Sequence, residues 1–247
     1  RKPYLATSTD GVGTKVAIAQ ALDIHRGDRM TTLVAMDTKS VNGKKWVEQM
    51  SGKPCKDFAN GDHTVTMIRT EEGKMMEIHH NTMTPQPYSR MYQLVGTTGF
   101  ANKYPIEGYA LSGEDMKKAG VKPSADDLSG HSFMKEVDRK ALEAKYESPI
   151  IKRYEAKAKE VGGHGGMDFI MDSRLVYCLQ HGLPLDMDVY DLAEWCCLAE
   201  LGSVSMNHGC MPVAVPDFTR GHWNTVKGYR HAFATPEEEA EVDKASA

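Results

Sequence analysis

Alternating hydrophobic and polar positions predict strands in the first half of the chain. Residues 30–37, MTTLVAMD, form a short apolar run typical of a buried strand. Residues 62–70, DHTVTMIRT, alternate, which places Met67 and Ile68 on opposite faces of a second strand. KMMEIHHNTM at 74–83 alternates again after a short turn that contains glycine, so the two runs predict a β-hairpin.

The pattern then predicts a third strand and a mostly antiparallel sheet. PQP at 85–87 interrupts the alternation, because proline cannot donate a hydrogen bond to a neighbouring strand. RMYQLVG at 90–96 follows as a strand that ends at a TTG turn. Consecutive strands joined by short turns form a meander, whose free face is available to helices.

The second half of the chain changes to helical spacing. Residues 131–147 and 149–161 are rich in Lys, Glu and Ala, and GGHGG at 162–166 ends the second of these helices. Asp188 is a predicted N-cap of a further helix. The helix predicted between the GGHGG turn and Asp188 carries an apolar stripe, formed by Met167, Ile170, Met171, Leu175 and Cys178.

This order of elements predicts the fold class. Strands come first and helices follow, which indicates an α+β fold. We expect an open, largely antiparallel sheet covered on one face by helices. The acidic stretch at 230–247 is predicted to be a disordered tail.

Composition narrows the class of partner. The 247 residues carry a formal net charge of -4 with scattered basic side chains, which argues against nucleic acid or an anionic membrane surface as a partner. No apolar run is long enough to span a bilayer, and the mean hydropathy is -0.48. Five cysteines without a CxxC pair indicate neither a disulfide framework nor a zinc site, so no metal is predicted.

Two stretches carry candidate binding residues. In GGHGGMDF, four glycines surround His164 just before a helix, and Asp168 follows one turn later. Glycine allows close approach of the backbone to a ligand, but a helix–helix turn in which His164 is only a cap fits the pattern equally well. In TPQPYSR, Tyr88 is placed either to contact a sugar or to be an ordinary aromatic residue in a loop.

Long segments of the chain resemble one family of glycosidases. The similarity is to the NAD-dependent α-N-acetylgalactosaminidases of glycoside hydrolase family 109, and it spans about residues 20–225. The segments that carry it are DIHRGDRM (23–30), NGDHTVTMIRTEEGKMMEI (60–78), TPQPYSRMYQLVGTTG (84–99), GGHGGMDFIMDSRLVYCLQHGLPLDMDVYD (162–191) and PVAVPDFTRG (212–221).

The resemblance implies a fold and a reaction. Such proteins join an N-terminal Rossmann domain that binds NAD to a C-terminal domain of the Gfo/Idh/MocA oxidoreductase type that builds the sugar pocket. Hydrolysis proceeds through oxidation of the sugar, elimination, addition of water and return of the hydride, so the cofactor supplies the difficult chemistry. By position, Tyr88 matches the tyrosine that contacts substrate, and we expect His164 and Asp168 to line or support the pocket.

Two departures from the family pattern matter. No GxGxxG motif follows a strand, so we expect the Rossmann domain to be absent and the chain alone to be inactive. Asp10 stands where the family has a pocket histidine, and a carboxylate cannot donate a hydrogen bond as an imidazole does. An alternative is therefore a non-catalytic module that binds carbohydrate or forms oligomers.

The start of the chain resembles a different family. KPYLATSTDGVGTKVAIA at 2–19 is similar to the nucleotide-binding segment of AIR synthetase. That resemblance implies a metal role for Asp10, a phosphate role for Lys15, and close backbone approach at Gly11 and Gly13. We interpret residues 1–22 as a foreign or junction segment of a chimera, which leaves an ATP-dependent ligase fragment as a further alternative.

These interpretations set the expected organisation and partners. The glycosidase domain is predicted to span residues 23–229. Glycans that contain N-acetylgalactosamine are the expected ligands, and an open sheet face suggests a homo-oligomer. Family members are bacterial and often exported, but no segment of this sequence indicates a compartment.

Overall fold

The computed structural model describes residues 5–8, 27–125, 128–147, 149–183, 185 and 188–225. The chain divides into two compact units. The first comprises the described residues up to Lys135 together with Tyr190–Thr225, and the second comprises Glu136–Val189. In the described part of the chain, no helix is long and apolar enough to cross a membrane.

The first unit is built on a sheet of eight strands. In chain order they are β1 (Leu5–Ser8), β2 (Met30–Asp37), β3 (His63–Thr70), β4 (Met75–Asn81), β5 (Gln93–Val95), β6 (Gly99–Asn102), β7 (Gly108–Leu111) and β8 (Val213–Ala214). Their order across the sheet is β7-β6-β5-β1-β4-β3-β2-β8. Only the β1–β4 pairing among the described strands is parallel, which confirms an open, largely antiparallel sheet.

Six helices accompany the sheet in the described ranges. The first unit contains α1 (Asn42–Ser51), α2 (Gly113–Lys118) and almost all of α6 (Val189–Asn207). The second unit contains α3 (Glu136–Tyr146), α4 (Pro149–Val161), a 3₁₀ turn (His164–Gly166) and α5 (Met167–His181). The predicted strands and helices are therefore present, and the α+β class is confirmed.

The hairpin register determines which side chains form the core of the first unit. Leu33 pairs with Ile68, and Ile68 pairs with Met76, so these three side chains share one face. All three are buried, whereas their neighbour Met67 is 45% exposed on the opposite face. The alternation in the sequence predicted this division correctly.

Helix α6 covers the buried face of the sheet. Ser205 accepts a hydrogen bond from the Ala35 N–H at 3.0 Å and donates one to the Met211 carbonyl at 2.7 Å. Gly202 lies against Ala35, where an added Cβ would meet the alanine methyl at 3.6 Å. A buried hydroxyl with both partners satisfied fixes the helix against the strand at low cost.

The apolar stripe predicted for α5 is mostly exposed within this structure. Cys178 is buried, but Met167, Met171 and Leu175 are between 45% and 60% exposed. Arg174 takes one of the buried positions instead. The helix therefore presents a different face from the one that apolar spacing alone predicts.

Candidate functional site

The glycine-rich turn before α5 adopts a left-handed backbone throughout. Residues 162–166 all have positive φ, including His164 at 43°, which is uncommon for a residue with a side chain. A Cβ at Gly166 would lie 2.6 Å from the backbone carbon of Ala158, so only glycine lets the turn pack against α4. A strained histidine held by a packed glycine turn is the kind of feature that occurs at functional sites.

This backbone brings the two predicted residues of the turn together. The ring Nδ1 of His164 lies 2.9 Å from Oδ2 of Asp168, in the first turn of α5. Because a carboxylate only accepts, Nδ1 donates and Nε2 is left with a free lone pair. A Cβ at Gly163 would lie 2.9 Å from the same Asp168 oxygen, so a glycine is needed here as well.

The pair is open to solvent and electrostatically coupled. The side chains of His164 and Asp168 are 78% and 45% exposed. The hydrogen bond to Asp168, with the charge of its carboxylate, raises the pKa of His164 above its ordinary value. The arrangement can accept a proton at Nε2 or donate one from it, which is the chemistry of a general acid or base.

Tyr88 lies in the first unit, in the loop between β4 and β5. Its side chain is 69% exposed and meets Tyr104 edge-on, with ring centroids 6.0 Å apart. Arg90 Nε donates a hydrogen bond to the Tyr88 hydroxyl. The exposed ring and its oriented hydroxyl suit contact with the apolar face and hydroxyl groups of a sugar.

The remaining predicted site residues fall outside the described residues. These are Asp10, Gly11, Gly13 and Lys15, together with the surrounding segment 9–26. The roles that the resemblance to AIR synthetase implies for them stay predictions, as does the chimeric origin of residues 1–22.

Sequence reasoning missed a group of buried carboxylates. Asp28, Asp191 and Glu194 are each less than 5% exposed. Glu194 accepts a hydrogen bond from the Met30 N–H, and burial raises its pKa to about 7. The charges of Asp191 and Asp28 raise the pKa further, whereas the Met30 N–H and Arg29 oppose the shift. A signal was available, since Glu194 lies between apolar residues in the AEWCCLA run of α6.

Neither a metal ion nor a dinucleotide fits the described residues. No group of three or more His, Cys, Asp or Glu side chains among them could hold a metal. A dinucleotide site needs a strand, a glycine-rich turn and a helix in a parallel arrangement. Within the described ranges no strand leads into such a turn, and the glycine turn at 162–166 instead joins two helices. The described residues therefore do not form a dinucleotide site of this kind.

Comparison with known sequences gives consistent matches over most of the chain. A family profile described as "Glycosyl hydrolase 109, C-terminal domain" matches residues 6–225. Glycosyl hydrolase family 109 protein 5 of Phocaeicola vulgatus is 65% identical over 241 residues, which are 97% of this chain and 46% of that protein. Family 109 protein 1 of Bacteroides thetaiotaomicron is 61% identical over 227 residues, which are 92% of this chain and 48% of that protein.

The chain thus spans about half the length of the curated relatives it matches. Solved structures are more distant. An NAD-binding protein from Listeria innocua is 11% identical with a TM-score of 0.43, covering 86% of this chain and 58% of its own. The WlbA dehydrogenase from Bordetella pertussis, in complex with NADH and UDP-GlcNAcA, is 12% identical with a TM-score of 0.43, covering 87% and 56%. Neither score supports a conclusion about this chain.

The profile match includes the glycine turn, Tyr88 and the buried carboxylates, which lie between residues 28 and 194. It also includes part of the segment that sequence analysis attributed to another family. With the profile matching residues 6–225 and relatives at 65% and 61% identity, the chain belongs to glycosyl hydrolase family 109, in its C-terminal domain.

Proposed function

We propose that this chain is the substrate-side domain of a glycosidase that hydrolyses α-linked N-acetylgalactosamine. The observation that carries the proposal is the exposed His164–Asp168 hydrogen bond on a glycine turn, in a chain of family 109. The imidazole is solvent-accessible, has a positive φ and is hydrogen-bonded to a carboxylate. It has the composition and exposure of a group that exchanges protons with a ligand.

The side chains have separate parts in this proposal. Asp168 holds the His164 ring in the tautomer with the proton on Nδ1, so Nε2 accepts a hydrogen bond from a sugar hydroxyl. Tyr88 offers a ring face to the C–H groups of the sugar, while Arg90 keeps its hydroxyl oriented. In this proposal the tyrosine orients a sugar by contacts made within the first unit, and the histidine moves a proton at its exposed ring within the second unit.

The proposal places NAD elsewhere in the whole protein. The described residues form no Rossmann-type strand, turn and helix, and the relatives are about twice as long as this chain. We assign the cofactor, and with it the oxidation, elimination and reduction implied by the family, to the part of such a protein that this chain does not span. By itself the chain is then a sugar-binding domain without turnover.

The test uses the complete protein that carries this chain, assayed with NAD. A chromogenic α-N-acetylgalactosaminide is expected to be hydrolysed in preference to the α-N-acetylglucosaminide. Replacing His164→Gln should lower kcat/KM by about 10²-fold or more, the usual effect of removing a general acid or base. His208→Gln serves as the matched control, because His208 is also exposed and its ring Nδ1 lies 2.8 Å from the Val204 carbonyl.

Two outcomes would overturn the proposal. One is the absence of sugar release by the complete protein above the rate without enzyme. The other is an unchanged kcat/KM in the His164→Gln variant. Retained hydrolysis with an altered sugar preference would leave the reaction standing and correct the substrate.

A second proposal concerns assembly, and the exposed sheet face favours it. Met36, Met67 and Met75 lie on the face opposite α6 and are 60%, 45% and 40% exposed. Soluble proteins rarely leave a group of large apolar side chains in water without a partner. We propose that two copies of the chain pair through this face.

A further inference from the structure

An open cleft of about 620 Å³ lies at one end of strands β5, β6 and β7, wholly within the first unit. One wall is the β5–β6 turn, which the Gly96 N–H closes onto the Gly99 carbonyl at 2.8 Å. The other wall is the segment 130–133, held beside β7 by a hydrogen bond from the Met134 N–H to the Tyr109 carbonyl at 2.8 Å. Both walls are fixed by backbone hydrogen bonds, so the cleft is pre-formed.

This cleft is separate from the surface around Tyr88. Tyr88 precedes β5 and Tyr104 follows β6, whereas the cleft is formed where β5 ends and β6 begins. The two sites therefore occupy opposite ends of the same strands. A ligand of the cleft does not need to contact Tyr88.

Two aromatic rings belong to the lining of the cleft. Phe100 of β6 and Phe133 lie with ring centroids 5.9 Å apart and planes tilted by 52°. A Cβ at Gly108 would lie 2.7 Å from Phe133 Cδ1, so the missing side chain lets the ring rest on β7. Phe133 is nevertheless 45% exposed, which leaves part of its ring available to a ligand.

Both walls of the cleft also contribute polar side chains. The side chains of Thr97, Thr98, His131 and Ser132 line it, and among the described residues none of the four has a hydrogen-bond partner. Asp115 also lines it, with one carboxylate oxygen accepting from the Ser112 hydroxyl at 2.6 Å. The lining is thus rich in hydroxyl groups that can both donate and accept.

The charges of the lining select the class of ligand. Within the described residues no lysine or arginine lines the cleft, so a phosphate or nucleotide would lack a counter-charge. One carboxylate and one imidazole are too few for a metal ion. A lining that combines two aromatic rings with several hydroxyl groups matches a ligand ring with apolar C–H faces and hydroxyl edges.

We propose that this cleft binds one or two units of a neutral saccharide, at a site distinct from His164 and Tyr88. Its volume is within the range of small-molecule sites, which is roughly 300–1,000 Å³. The ligand class follows from the lining and does not depend on the proposed glycosidase function. In a glycan-degrading protein the cleft would hold a part of the glycan remote from the reacting bond.

The test is a titration of the ¹⁵N-labelled chain with methyl α-galactoside, followed by amide chemical shifts. Saturable shifts are expected at Thr97, Thr98 and Gly130, with a Kd on the order of 1–10 mM, as for a weakly held monosaccharide. Phe133→Ala should weaken binding about tenfold by removing the exposed aromatic ring of the lining. Ile106→Ala is the matched control, since Ile106 is 58% exposed in the β6–β7 loop and does not line the cleft.

A second variant distinguishes a loss of binding from a loss of folding. Thr98→Val keeps the shape of an exposed turn residue and removes one hydroxyl, so binding should weaken about threefold while the remaining amide shifts stay unchanged. The proposal is overturned if these amides do not shift at about 100 mM sugar, roughly tenfold above the expected Kd. Inorganic phosphate binding in place of the sugar, or wild-type affinity in Phe133→Ala, would overturn it as well. Shifts confined to Tyr88 or His164 would support the proposed function and reject this site.

Discussion

At the scale of single residues, exposure to solvent determines what an ionisable side chain can do. His164 and Asp168 form a hydrogen-bonded pair in solvent, where the histidine keeps access to ligands. Glu194 is 4% exposed and carries a carboxyl group whose pKa is raised to about 7 by burial. Exposure therefore separates a candidate proton-transfer group from a structural one.

Replacing Asp168→Asn is expected to lower the pKa of His164. The variant removes the carboxylate that accepts the Nδ1 proton and the charge that favours the imidazolium. NMR titration of the His164 ring measures the change. Asp172→Asn, one turn further along α5, should leave the titration midpoint where it is. An unchanged midpoint in Asp168→Asn would show that the pair does not form in solution.

Replacing Glu194→Gln is expected to stabilise the protein above neutral pH. The folded pKa of about 7 lies above the ordinary value of 4.5, so the folded state retains a proton that the unfolded state releases. The free energy of unfolding therefore falls as pH rises from about 4.5 to 7. At 1.36 kcal/mol per pKa unit, the total loss is about 3 kcal/mol. The glutamine can still accept the Met30 N–H and has no proton to lose.

Urea unfolding at pH 5 and pH 8 measures this effect. The wild-type chain should lose stability between the two, and Glu194→Gln should lose much less. Glu200→Gln, on the exposed side of the same helix, is the control and should behave like the wild type. Equal pH dependence in Glu194→Gln and wild type would show that Glu194 titrates normally.

At the scale of elements, the glycine turn between α4 and α5 is set by close packing as well as by backbone freedom. Gly165 and Gly166 both have positive φ, at 71° and 95°. An added Cβ meets nothing within 4 Å at Gly165 but meets Ala158 of α4 at 2.6 Å from Gly166. The two positions therefore separate the cost of a left-handed backbone from the cost of overpacking.

Gly166→Ala is expected to destabilise the chain more than Gly165→Ala. Both variants carry the cost of placing alanine in a left-handed conformation, about 1–2 kcal/mol. Gly166→Ala adds the overpacking against α4, a further 1–3 kcal/mol or so. Denaturant unfolding of the second unit measures both losses of stability. The transition is monitored through a signal that depends on the ring contact between Tyr154 and Phe169. Equal losses would mean that the turn is not packed against α4 as the structure describes.

The elements also show how far the sequence predicts structure. Strands β2, β3 and β4 and helix α4 are close to their predicted ranges, because a period of two or of 3.6 fixes which side chains share a face. The strand predicted at 90–96 is reduced to β5, since Met91 has a positive φ that no extended strand contains. Apolar spacing could not identify the exposed side of α5, because burial depends on the neighbouring element.

At the scale of the whole molecule, the open sheet face is the feature that bears on oligomeric state. Its methionines lie opposite the face that α6 covers, beside Arg69, Glu77 and His79. Pairing through this face would bury apolar surface, at about 25 cal/mol per Å² of gross gain before the cost of association. The assembly proposal therefore makes a specific prediction about oligomeric state.

Met67→Lys is expected to shift the chain from dimer to monomer. A lysine at the centre of a buried interface would lose its hydration without a partner. Sedimentation velocity over a range of protein concentrations measures the change. Met50→Lys, on the 71% exposed side of α1, should not alter the association. A wild-type chain that is monomeric at all concentrations would reject the assembly proposal.

The sequence by itself determined the local elements, the division of the hairpin into two faces and the similarity to family 109. It also made His164, Asp168 and Tyr88 candidate site residues, because glycine clusters and proline breaks are visible in one dimension, and that assignment stays a prediction. Only the tertiary structure decided that His164 contacts Asp168, that Glu194 is buried and that a cleft forms beside β7. The physical reason is that periodicity determines which residues share a face, whereas burial, pKa and cavities depend on what packs against that face.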